Sequence, residues 1–126
     1  MAYTSTVKYA PMSLVEMPEF TERAEELLSE EQCYELLTHI AQNPECGDVM
    51  PGTGGVRKLR WALAGKGKRG GARVIYYYHD RHMPILLITM YPKSAKRDLS
   101  QAEKNELKKL MPVLVTTYKS RRRGER

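Results

Sequence analysis

The chain has 126 residues, enough for one domain with one core. Its 41% hydrophobic and 29% charged residues are a globular balance rather than a disordered one. The formal net charge of +6 conceals a segregation. Residues 1–50 hold two basic and ten acidic residues, a net of −8, whereas residues 51–126 hold nineteen basic and five acidic, a net of +14. The longest strictly apolar run, Ile85-Leu86-Leu87-Ile88, is far too short to cross a bilayer. The first residues lack the organisation of a signal peptide. Cys33 and Cys46 match neither a disulfide framework nor a zinc pattern, so reduced thiols and a cytoplasmic setting are expected.

Residues 1–12 show no periodicity and read as a flexible tail. Leu14-Val15-Glu16-Met17 is short and apolar before Pro18, as an edge strand would be. Phe20, Ala24, Leu27 and Leu28 then recur at helical spacing, with glutamates on the other side. Ser29-Glu30-Glu31-Gln32 is a capping-box pattern that opens a second helix, whose inward stripe is Cys33, Leu36, Leu37, Ile40 and Ala41. Asn43-Pro44 ends it.

After Pro51 the pattern changes. Gly52-Thr53-Gly54-Gly55 is a turn, and residues 56–63 read as a strand carrying Arg57, Lys58 and Arg60. Residues 65–71 form a loop rich in glycine and lysine, residues 73–78 a strand, and residues 85–91 a strand buried on both faces. A second capping box, Ser100-Gln101-Ala102-Glu103, opens the last helix, with a stripe of Leu107, Leu110, Met111, Leu114, Val115 and Tyr118. Residues 13–119 form the expected domain, and 120–126 a basic tail. The order β-α-α-β-β-β-α with short connections predicts an α+β fold, a small antiparallel sheet covered by helices on one face.

Gly65-Lys66-Gly67-Lys68-Arg69-Gly70 spells a dinucleotide-binding fingerprint but precedes a strand instead of opening a helix, so that reading fails. From Val49 to His79 there is no Asp or Glu, yet Arg57, Lys58, Arg60, Lys66, Lys68, Arg69 and Arg73 fall there. Seven cations without counter-ions repel one another unless a polyanion completes them. Trp61, Tyr76, Tyr77 and Tyr78 lie among them, some as core and one or two as surfaces for base stacking. Tyr91, Lys93, Lys96 and Arg97 form a second group before Ser100, where a phosphate at the helix start would suit Lys93 and Lys96. Two histidines, His79 and His82, flank a turn far from this end. The basic half holds no cluster of metal-ligating type, and no cofactor is expected.

These segments carry a specific resemblance. Gly47-Asp48-Val49, Gly52-Thr53-Gly54-Gly55-Val56-Arg57-Lys58-Leu59-Arg60, the run from Gly65 through Arg73-Val74-Ile75-Tyr76-Tyr77-Tyr78, and Leu87-Ile88-Thr89-Met90-Tyr91-Pro92-Lys93 resemble RelE-superfamily toxins of the HigB type. The resemblance covers roughly residues 14–118. It implies the RelE-like fold and the toxin half of a type II toxin–antitoxin pair. The implied activity is a metal-independent endoribonuclease acting on mRNA in the ribosomal A site. It implies Arg73 on the scissile phosphate, with Lys93 and Lys68 as catalytic companions, and crowding by neighbouring cations, which favours a neutral lysine, adds Lys96 as a candidate base. Arg57, Lys58, Arg60, Lys66, Arg69 and Tyr91, from the two basic groups above, are the expected RNA contacts, and the resemblance adds phosphate contacts for Lys58 and Lys66. Expected partners are a cognate antitoxin of helix-turn-helix type, the small ribosomal subunit with its mRNA, and operator DNA through the antitoxin only. No membrane is expected. A nucleic-acid-binding module or corepressor without turnover is the alternative.

Overall fold

Ser29 and Ser100 each open a helix with a reciprocal pair of hydrogen bonds, as their contexts predict. The Gln32 N–H donates to Ser29 Oγ at 3.2 Å, and the Ser29 N–H donates to Gln32 Oε1 at 2.9 Å. At Ser100 the same exchange with Glu103 closes at 3.1 and 2.7 Å. Helical N–H groups that would otherwise lack acceptors are satisfied in both places. The structure, a computed structural model, describes residues 11–63, 71–95 and 98–122. Most of the expected N-terminal tail, loop residues 64–70, Lys96, Arg97 and residues 123–126 lie outside them.

Among the described residues the elements are β1 (Leu14–Glu16), α1 (Pro18–Leu27), α2 (Glu30–Gln42), β2 (Asp48–Val49), β3 (Arg57–Trp61), β4 (Ala72–Tyr77), β5 (Ile85–Pro92) and α3 (Gln101–Arg122). The strands form one sheet in the order β1-β5-β4-β3-β2. The α+β class is as expected, but the sheet is mixed, because β1 runs parallel to β5 while the other pairs are antiparallel. Pro18 turns the chain directly from β1 into α1, which lies across β5. A reversed β1 would deliver that helix to the wrong end of the strand. Two flanking bonds fix the register, Ile85 N–H to Ser13 C=O and Met17 N–H to Leu87 C=O, each 2.9 Å. The two-residue β2, absent from the sequence reading, extends the sheet beyond β3.

Helices cover both faces, not one. Phe20, Ala24, Leu28, Leu36 and Ile40 of the α1–α2 region pack on Val74, Tyr76, Leu87 and Met90. On the other face, Met111 and Val115 of α3 pack with Ile75, Tyr77, Leu86, Tyr91 and Leu99. Every residue of β4 is buried, so the strand has two apolar faces and each requires a cover. Leu110, expected in the buried stripe of α3, is 40% exposed and lies outside it. The helix runs through Pro112 to Arg122 and so takes in the start of the expected tail.

Two local features position the site. The pairing of β4 with β5 skips a residue, for Ile75 faces Thr89 while Tyr76 faces Leu87. Ile88 is the extra residue of a bulge, which reverses the parity of everything after it. Strict alternation from Leu87 would put Tyr91 on the α1–α2 face; the bulge carries it to the α3 face beside Arg73. The second feature is the turn before β3. The buried Thr53 hydroxyl donates to Met50 C=O at 2.7 Å and accepts from Val56 N–H at 3.0 Å. Gly54, at φ +78°, lies against α3, where a Cβ would stand 3.5 Å from Lys108 Cα. Lys108 is the residue whose carbonyl loses its helical donor to Pro112.

Candidate active site

The register brings three expected site residues side by side. Arg60 on β3 faces Arg73 on β4, and Arg73 faces Tyr91 on β5. All three project to the α3 face, near the end of the sheet where β4 begins and β5 finishes. Lys58, two residues before Arg60, shares that face. Arg73 is only 8% exposed, and its Nε is buried without a hydrogen-bond acceptor among the described residues. Directly opposed like charges destabilise a sheet, so Arg60 and Arg73 form a pair that an anion would relieve.

Arg60, Arg73 and Lys93, together with Trp61, Ala62, Gly71 and Ala72, line a cleft of about 350 Å³. The Lys93 N–H donates to Gly71 C=O at 2.9 Å, closing the strand ends and leaving the exposed Lys93 at the cleft mouth. Burial pushes the Tyr91 phenol up, and the nearby Asp98 and Glu103 carboxylates add to that, against an opposing pull from Arg73. The phenol therefore stays protonated around neutral pH.

A second cleft, of about 430 Å³, adjoins the first, since Arg60 lines both. Its rim includes Lys58, Lys104, Asp98, Asp48 and Val49. Asp98 lies between the two lysines, 3.7 Å from Lys58 Nζ and 3.6 Å from Lys104 Nζ, and its Oδ1 accepts from the Leu99 N–H at 2.8 Å. Partial burial pushes its carboxyl upward. The Leu99 N–H and the two ammonium groups outweigh that and hold it below its usual value. Neither Asp98 nor Lys104 stood out in the sequence. The available signal was weak, a lysine in the first turn of a helix, where the dipole disfavours cations.

Other expected residues lie elsewhere. Arg57, one position from Lys58, points to the opposite face, where Nη1 donates to Gly47 C=O at 2.7 Å and the side chain pairs with Glu45. It braces the loop before β2 and does not join the Arg73 group. The aromatics of this region serve packing. Tyr76 is fully buried; its hydroxyl accepts from Gly47 N–H and donates to Pro44 C=O, both at 2.8 Å, and burial pushes its pKa far up. Tyr77 is buried against His79, with Oη and Nδ1 3.3 Å apart. Trp61 meets the His39 ring of α2 at 5.6 Å. Tyr91 is the aromatic that faces Arg73. At the start of α3, the Ser100 and Glu103 N–H groups are taken by the capping box and that of Leu99 by Asp98, so the phosphate expected there finds those donors occupied. His79 and His82 sit in the β4–β5 turn, at the far end of the strands from Arg73. Lys66, Lys68, Arg69 and Lys96 lie outside the described residues.

A small α+β protein with a cationic cleft across its central strands defines the class. Residues 20–121 match the family model described as the RelE toxin of the RelE/RelB toxin–antitoxin system. The chain belongs to the RelE toxin family, and membership implies a cognate antitoxin. The solved structure of Escherichia coli toxin RelE, a double arginine-to-alanine mutant in the free state, shares the fold at a TM-score of 0.55 and 18% identity, covering 81% of this chain and 100% of that one. No helix among the described residues is long and apolar enough to span a membrane.

Proposed function

We propose that this toxin is an endoribonuclease of HigB type that cuts mRNA in the ribosomal A site, by attack of a 2′-hydroxyl on the adjacent phosphorus and without a metal. One observation carries the reading: Arg73, a buried guanidinium bonded to no carboxylate among the described residues, lines a cleft whose other described charged side chains are Arg60 and Lys93. A guanidinium grips a phosphate through two parallel N–H bonds and keeps its charge at any working pH. A dry, rigid position on a central strand lets Arg73 stabilise the charge that builds on phosphorus with little reorganisation.

Cleavage needs more than charge. A proton leaves the 2′-hydroxyl and another reaches the departing 5′-oxygen. Those transfers fall to Lys93 at the cleft mouth and to Lys68 and Lys96, candidates from the sequence alone. The protonated Tyr91 phenol, buried beside Arg73 on β5, backs the guanidinium from the core rather than stacking on RNA. Arg60, Lys58, Lys66 and Arg69 hold flanking phosphates. The product ends are a 2′,3′-cyclic phosphate and a 5′-hydroxyl. A helix-turn-helix antitoxin blocks this surface and carries the pair to operator DNA, and the setting is the cytoplasm.

Expression of wild type and Arg73→Ala in bacteria, with mapping of mRNA ends, tests the reading. Wild type should arrest translation and cut mRNA on translating ribosomes, with EDTA having no effect in a reconstituted reaction, and Arg73→Ala should do neither. Equal arrest by both proteins removes Arg73 from catalysis. Arrest by neither leaves a binding module that acts with its antitoxin. 5′-Phosphate ends or EDTA-sensitive cutting would overturn the mechanism.

A further inference from the structure

Lys58, assigned above to a flanking phosphate, stands in a cluster with Asp98 and Lys104, neither of which has a part in the cleavage chemistry. They come from different elements: Lys58 from β3, Lys104 from the first turn of α3, and Asp98 from the segment between β5 and that helix. We propose that Lys58 and Lys104 form a second phosphate subsite beside the Arg73 cleft, which Asp98 fills with its own carboxylate while no RNA is bound. This rests on the RNA-cleaving reading above and extends it to the neighbouring nucleotide.

Geometry, charge and continuity support the assignment. The Asp98 carboxylate is anchored by the Leu99 N–H at 2.8 Å, so the lysines are the movable partners. Both lie 3.6–3.7 Å from it, well beyond the roughly 2.7–2.9 Å of a tight charge-assisted bond. An ion pair at that distance is readily exchanged for a better acceptor. Two ammonium groups around one carboxylate leave a single positive charge, which matches one phosphodiester. Asp48, which faces Lys58 across the β2–β3 ladder, and Arg60 are the other charged groups on the rim, and together they leave its single positive charge unchanged.

The subsite also lies on the path an RNA strand would take. Lys58 and Arg60 alternate on one strand face, roughly 6.6 Å apart at 3.3 Å per residue, close to the step between successive phosphates of an extended strand. Arg60 lines both clefts, so a strand with its scissile phosphate on Arg73 passes Arg60 and meets Lys58 and Lys104 next. Asp98 thus serves as an internal stand-in for phosphate. It holds two flexible lysines at the groove and lowers its affinity for anions until RNA arrives.

Binding of a short 2′-O-methyl oligoribonucleotide, which lacks the attacking hydroxyl, to the full chain tests this across a salt series. Asp98→Asn keeps the size and the acceptor for Leu99 N–H, and should bind roughly two- to fivefold more tightly at low salt, as loss of a competing ion pair predicts. Lys104→Gln should bind more weakly, with the slope of log K against log salt reduced by about 0.7, one single-strand phosphate contact. Thermal melting of both variants confirms that each is folded. Unchanged affinity and slope in folded Lys104→Gln, or weaker binding by folded Asp98→Asn, overturns the subsite. Arg73→Ala separates the two readings. If wild type cuts mRNA and Arg73→Ala does not while Lys104→Gln binds like wild type, only the subsite falls. If wild type does not bind the oligoribonucleotide, the subsite falls, while the cleavage reading stands or falls on the mapped mRNA ends alone.

Discussion

Arg73 sets use against stability. A buried guanidinium whose Nε has no acceptor among the described residues, and which faces Arg60 across the ladder, carries desolvation and repulsion that no described carboxylate offsets. Replacing it by an apolar side chain of similar length should therefore raise stability while removing function. Arg73→Met is expected to melt higher, by on the order of 1–3 kcal/mol in unfolding free energy, and to cause no growth arrest; denaturant titration and expression in bacteria check the two halves. Tyr76 is the opposite case. Its hydroxyl joins Gly47 N–H and Pro44 C=O in the core, and a Cβ on Gly47 would stand 2.9 Å from the same ring. Tyr76→Phe leaves two buried groups unpaired and should lose about 1–3 kcal/mol with the Arg73 cleft intact, read as a lower melting temperature. Asp98 gives a pH dependence. Its carboxyl is held below its usual 3.8, so its contribution is present above that value and disappears as pH falls through the lower folded value. The melting difference between wild type and Asp98→Asn should be constant near neutrality and shrink below pH 3.8; a difference that persists in acid would show that the carboxylate charge is not its source.

At the scale of elements, the capping boxes and the helical stripes of α1 and α2 were legible because they are local, a matter of spacing within one turn or two. Leu110 shows the limit. Its periodicity fits the stripe of α3, but which neighbours lie beneath the helix decides burial, and Met111 and Val115 take the inward positions. The turn before β3 rests on one hydroxyl that bridges Met50 and Val56. Thr53→Val keeps the shape and removes the bridge, and should lose on the order of 1–3 kcal/mol for the unsatisfied buried groups; chemical denaturation measures it. The bulge at Ile88 was not legible. An extra residue in one strand leaves no mark in composition or alternation, yet it alone turns Tyr91 toward Arg73.

For the whole molecule, the segregation of charge along the chain is partly a segregation between the two faces of the sheet among the described residues. The glutamate-rich α1 and α2 lie on one face; Lys58, Arg60 and Arg73 share the other with α3. Polyanion binding should therefore weaken steeply with salt, log K falling by about 0.7 per RNA phosphate neutralised; a flat response in a filter-binding or fluorescence titration would contradict the cationic face as the binding surface.

The sequence by itself determined the fold class, the helix starts and the segregation of charge, because composition and short-range spacing carry these, whereas the resemblance to RelE-superfamily toxins is what singled out Arg73 among seven cations. Only the tertiary structure decided that β1 runs parallel to β5, that α3 covers the second face, that Arg57 and Lys58 part company, and that Asp98 lies between two lysines. Each of those depends on which segments distant in the chain become neighbours. Pairing register and helix packing choose that, and no single stretch of sequence contains it.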